Sequence, residues 1–138
     1  MEVRLIIAGS RDFNNYELLK KEVDEYFLSI VNDLFSDLPV GTTKAIYTKI
    51  VSGGARGADR LGERYARERS LAIKQFIPNW GSEGKKAGRL RNEEMAEYSN
   101  YCICFWNGSP GTASLIRLAK KYKLGLKVVN VDSTNEKE

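Results

Sequence analysis

Histidine is missing from all 138 residues of the chain. Its absence removes the Ser-His-Asp and Cys-His mechanisms and the commonest transition-metal ligand together, so any chemistry falls to carboxylates, hydroxyls, amines or a bound metal. Cysteine is scarce: Cys102 and Cys104 stand two apart in an apolar run. In a strand they point to one face without readily reaching disulfide geometry, which makes them buried free thiols, and their spacing does not suit a structural zinc site. No apolar stretch is long enough for a membrane span, and the chain opens almost directly on a strand-like run. A cytoplasmic protein with no membrane partner is expected. The dense basic run of a dedicated nucleic-acid binder is lacking too. The 22 Lys and Arg are mixed with 18 Asp and Glu, for a formal charge of +4, which leaves an ordinary surface with a weak preference for anions.

What is present is one domain's worth of chain with 42% hydrophobic residues, enough for a substantial core. Val3 to Ala8 is apolar enough for a strand buried on both faces, and Asn14 with Glu17 has the spacing of a capping box. Tyr16, Leu19, Val23, Tyr26, Phe27, Ile30 and Leu34 then recur at spacings of three and four, the mark of an amphipathic helix. Ser36 to Lys44, with Pro39 and Gly41, breaks the pattern before a strand over Ala45 to Ser52. A helix to about Ser70, a strand over Ala72 to Ile77 and a helix from about Lys85 to Asn100 follow. Tyr101 to Trp106 reads as a strand, Thr112 to Tyr122 as a helix stopped by Gly125, and Leu126 to Val131 as the fifth strand. Strands alternating with helices predict an α/β fold, a three-layer αβα domain over residues 1–132 with a mainly parallel sheet in the order 3-2-1-4-5. Residues 133–138 form a polar tail.

Three glycine-rich turns each follow an apolar run: Gly9-Ser10-Arg11, Gly53-Gly54-Ala55-Arg56-Gly57-Ala58-Asp59 and Gly108-Ser109-Pro110-Gly111-Thr112. In a parallel sheet all three fall at one edge, where bare amides and helix N-termini favour anions. The middle turn resembles a phosphate cradle, with Gly53, Gly54 and Gly57 permitting close backbone approach and Arg56 able to grip a phosphate. No Walker lysine follows it, and the dinucleotide spacing is not met. Asp59 is placed to cap a helix or accept sugar hydroxyls, and Thr112 to cap the last helix while bonding a phosphate. Arg11 brings charge to the same edge. Trp80 is flanked by Gly81 and Gly84 in a loop where an indole can either stack on a base or cover the core, and Lys85, Arg89, Arg91 and Asn92 follow on the next helix. Each of these turns also has a plain structural use as a tight connection, and each basic pair as a solvated face.

Taken in order, Gly9-Ser10-Arg11, the Gly53 to Asp59 turn, Trp80, Ala87-Gly88, Arg91-Asn92 and Gly108 with Gly111-Thr112 resemble the YspA-like branch of the SLOG superfamily, over nearly the whole chain. That superfamily groups Rossmann-like domains related to DprA and to the LOG phosphoribohydrolases, and the branch includes phage-encoded members. The resemblance implies a nucleotide or nucleotide-derived ligand held by Gly9, Ser10, Arg11, Gly53, Gly54, Arg56, Gly57, Asp59, Trp80, Arg91, Asn92, Gly108, Ser109, Gly111 and Thr112, in a sensor or regulatory module. It also implies pairing of two chains through their helices. LOG enzymes continue their glycine turn as Gly-Thr-x-x-Glu, whereas Leu115 stands here in the place of the catalytic glutamate. Phosphoribohydrolase activity is therefore not carried over. Asp59 or Glu83 would have to replace that carboxylate in a glycosidase acting on a nucleoside monophosphate or an ADP-ribose-like substrate. A DprA-like binder of single-stranded DNA is the third alternative, weakened by the modest charge. No cofactor is required by these residues, and Mg2+ enters only alongside a phosphate ligand.

Overall fold

A computed structural model describes residues 1–42 and 45–131. Five strands, β1 (Glu2–Gly9), β2 (Tyr47–Ser52), β3 (Ala72–Gln75), β4 (Tyr101–Trp106) and β5 (Gly125–Asn130), form one sheet in the order β3-β2-β1-β4-β5. All four pairings are parallel. Among them run α1 (Tyr16–Phe35), α2 (Ala58–Glu68), a single turn α3 (Trp80–Glu83), α4 (Ala87–Tyr98) and α5 (Pro110–Lys121). This is the expected Rossmann-like αβα architecture.

The pleat of β1 divides the core. Val3, Leu5 and Ile7 pack with Leu19, Val23 and Ile30 of α1 and with Ala58, Tyr65 and Ala66 of α2. Ile6 and Ala8 face the other way, joining Met95 of α4 and Leu115, Ile116 and Ala119 of α5. Cys102 and Cys104 share this second face as free, buried thiols, following the period of two along a strand.

Several boundaries differ from the sequence expectation, for reasons that lie in the partners. β2 starts at Tyr47, which pairs with Glu2 at the beginning of β1, and Ala45 lies outside that ladder. β3 ends at Gln75 because its partner β2 ends at Ser52. Asn15, and not Asn14, caps α1: its side chain accepts the Leu18 N–H at 3.0 Å. Gly125 opens β5 opposite Tyr101 instead of stopping a helix; the chain leaves α5 through Lys123, at φ 60°. The Lys85 helix begins at Ala87, preceded by a 3-10 turn over Gly84–Lys86. Trp80 starts α3 and is not in an irregular loop. The chain end beyond Val131, including the polar tail, lies outside the described residues, as do positions 43 and 44.

Candidate functional site

The connections explain where a site can form. From β1 the chain moves outward through β2 to β3, then returns to lay β4 against the other side of β1. The segments leaving β1 and β4 therefore diverge, and a crevice opens between their carboxyl ends. It has a volume of about 610 Å³ and is walled by the residues after β1, by the middle turn, by α4 and by the start of α5.

Ser10 ties the first wall together. Its N–H donates to the Phe105 carbonyl at 2.9 Å, and its own carbonyl accepts the Ala58 N–H at 3.2 Å and the Phe13 N–H at 3.3 Å. Gly9 allows this approach. It sits at φ 153°, and a side chain there would run into the Phe105 carbonyl. The rings of Phe13 and Phe105 stack at 5.0 Å beneath the turn. Arg11 and Asp12 are left on the crevice wall.

Two donors of the middle turn are used within it. The Gly54 N–H goes to Ser52 Oγ at 3.0 Å and the Ala55 N–H to Asp59 Oδ2 at 3.3 Å. The turn thus presents Ala55, Arg56 and Asp59 to the crevice, while Gly53, Gly54 and Gly57 stand behind its surface. Gly53 has a packing reason. A Cβ there would meet the Arg91 guanidinium and would lie 2.8 Å from Asp59 Oδ2. Gly57 occupies the N-cap of α2 beneath the Ser10-Arg11 backbone.

Asp59 is 5% exposed. Burial raises its carboxyl from an ordinary 3.8 to about 6, against the pull of Arg91 and of the Ala55 and Gly9 N–H groups and with a push from Glu63. Glu63 is held separately, by Ser52 Oγ at 2.7 Å and Gln75 Nε2 at 2.8 Å. Arg91 is drawn below its usual range by burial and by Arg11, with Asp59 acting the other way. Its Nη1 donates to the Gly53 carbonyl at 2.6 Å and its Nε to Asn92 Oδ1 at 3.0 Å, so neutral oxygens hold the guanidinium.

The third wall is the start of α5. Pro110 is the first residue of this 12-residue helix, and no side chain caps it. Thr112 does not act as the cap: it lies inside the first turn, and its hydroxyl accepts from Ser109 Oγ at 3.2 Å. The N–H groups of that turn have no partner within the helix by construction. Asn92 Nδ2 reaches across from α4 to the Gly111 carbonyl at 3.4 Å. Trp80 lies at the mouth, 51% exposed.

The crevice thus gathers Gly9, Ser10, Arg11, Arg56, Asp59, Trp80, Arg91, Asn92, Ser109, Gly111 and Thr112, but not Gly53, Gly54, Gly57 or Gly108. Arg89, which the sequence pairs with Lys85 on one basic face of the next helix, lines it as well, whereas Lys85 does not; Ser114, Leu115 and Met95 line it beyond the set expected from sequence. Ser114 lies two residues along the helix from Thr112, a spacing that gives no sign of a shared wall. Leu115 and Met95 are core residues by composition and form an apolar floor. Among the described residues no three acidic or thiol side chains gather to hold a metal, and no helix is long and apolar enough to cross a membrane.

No family model matches the chain, and no solved structure matches it. The Gene 61 protein of Mycobacterium phage D29 is 39% identical over 88 residues, spanning 59% of this chain and 69% of that protein. Its name states no activity.

Proposed function

The chain belongs to the family of this phage Gene 61 protein, and we propose that it binds a nucleotide or nucleotide-derived anion in the crevice between β1 and β4, as a sensor or regulatory module. Chief support comes from Arg91, a half-buried cation whose hydrogen bonds go to neutral oxygens, on a wall shared with the uncapped start of α5. Both features are met by one phosphate, which accepts from the Arg91 guanidinium and from the free N–H groups of the helix. Arg11, Arg56 and Arg89 outnumber Asp12 on the exposed walls. Trp80 offers its face to a base, and Leu115 with Met95 floors the site.

Calorimetry with nucleoside mono- and diphosphates and ADP-ribose tests this. Replacing Arg91→Met is expected to weaken binding by roughly ten- to a hundredfold, the range for a charge-assisted hydrogen bond of about 1.5 to 3 kcal/mol. Circular dichroism would show that the variant is folded. Wild-type protein that binds none of the panel, or a folded variant that binds equally well, would sink the assignment.

A second reading rests on Asp59, because a buried carboxyl held near pH 6 within a crevice suits general acid or base work on an N-glycosidic bond. Chromatography for free base after incubation with the same panel decides it: binding without release leaves a binding module.

A further inference from the structure

We propose that the crevice takes up one proton together with its anionic ligand and that Asp59 receives it, an inference that rests on the anion-binding role given above. Asp59 is the buried carboxylate on the crevice wall, and its surroundings are specific. From α4 it faces Arg91: the Arg91 guanidinium and Asp59 Oδ2 border the same space above Gly53, where a Cβ would meet both, and Arg91 in turn feels Arg11 of the turn after β1. On its own helix it faces Glu63, and it also acts on Cys102 of β4. Arg56 of the middle turn lines the same crevice and pairs there with exposed Asp12 at 3.5 Å.

In the free protein, Asp59 is the carboxylate whose charge acts on Arg91. An incoming anion brings its own charge to the same guanidinium. Two anions then crowd one half-buried guanidinium, and like charges set that close raise each other's proton affinity. Sulfate, or a phosphate diester, has no proton affinity in the neutral range. Glu63 is already served by Ser52 and Gln75 and stands away from the crevice wall. Asp59, whose carboxyl burial already raises to about 6, is the group that yields. Binding then weakens as pH rises, by up to about tenfold per unit between the midpoints of Asp59 in the free and the bound protein. An ionised Asp59 accepting from a ligand hydroxyl would give the opposite slope.

The test is an NMR titration of the intact chain with sulfate from about pH 5 to about pH 8, following the Asp59 carboxyl carbon and the Gly111 and Thr112 amides. Saturating sulfate is expected to move the Asp59 midpoint upward by about one unit or more, with affinity falling across the range. Asp59→Asn is expected to bind sulfate about tenfold more tightly at the alkaline end, with the slope abolished. Amides that respond while the Asp59 midpoint stays or drops, or a variant that keeps the wild-type slope, overturn the proton coupling and leave the anion site standing. Sulfate that moves neither amides nor carboxyl removes both.

Discussion

Trp80 is held in place by a vacancy: a Cβ at Gly88 would come within 3.3 Å of its ring, so the glycine on α4 gives the indole room at the crevice mouth. Half of the side chain is left to solvent, which a core role does not require. Base stacking on an aromatic ring is worth about 1 to 3 kcal/mol. Trp80→Ala is therefore expected to weaken nucleotide binding by roughly five- to a hundredfold while leaving affinity for inorganic sulfate unchanged. Parallel calorimetric titrations read both numbers, and an equal loss for both ligands would mean that the ring shapes the crevice without touching a base. Trp80 and Arg91 could be singled out in the sequence because each is a residue type with a distinctive contact, set beside glycines. Gly53 and Gly57 drew attention for the same reason, yet their lack of a side chain serves packing, under Arg91 and under the Ser10 backbone. Nothing in a sequence distinguishes a glycine that admits a ligand from one that admits a neighbouring side chain.

Two helices end in an unusual way. After α2 the chain passes through Ser70 at φ 54°, and after α5 through Lys123 at φ 60°, a region where side chains other than glycine are strained. The closing bonds are in place: the Leu71 N–H reaches the Ala66 carbonyl at 2.8 Å, and the Leu124 N–H reaches the Ala119 carbonyl at 2.9 Å. These are the long bonds of a Schellman ending, in which glycine normally occupies the left-handed position. Ser70→Gly and Lys123→Gly are each expected to stabilise the fold by about 0.5 to 1 kcal/mol, and the two gains should add because the sites belong to separate helices on opposite faces of the sheet. Urea denaturation checks both, and a loss of stability would show that the side chains contribute more than the strain costs. The same endings explain what was hidden at this scale. Strand and helix identity followed from periodicity, and the parallel order followed from their alternation. A glycine is the usual signal for the end of a helix and points to Gly125, whereas Lys123 carries the turn. Likewise, strand limits are set by the register of the neighbour, as Tyr47 with Glu2 and Gln75 with Ser52 show.

At the scale of the whole molecule, the crevice has an energetic cost that pH reveals. Asp59 titrates at an ordinary 3.8 when solvated and at about 6 in the fold, so the folded chain holds that proton more tightly than the unfolded chain. Its contribution is neutral below the lower value, turns against the fold as pH climbs through the interval, and levels off above about 6. A displacement of this size corresponds to roughly 3 kcal/mol, a sizeable part of the stability of a small domain. Asn can still accept the Ala55 N–H that Asp59 Oδ2 accepts, but it carries no charge to desolvate. Asp59→Asn is therefore expected to be more stable than the native chain above neutral pH, by up to about 3 kcal/mol, a figure in which the attraction to Arg91 is already set against burial. The difference should shrink towards zero near pH 4, where Asp59 is itself close to neutral in the fold. Urea unfolding at both pH values, followed by circular dichroism, measures it. A gain that does not change with pH would place its origin in packing, and a loss at alkaline pH would mean that Arg91 needs the carboxylate more than burial penalises it. In the expected case the free protein keeps a destabilising charge in the crevice, and a ligand anion that brings a proton with it relieves that cost as it binds.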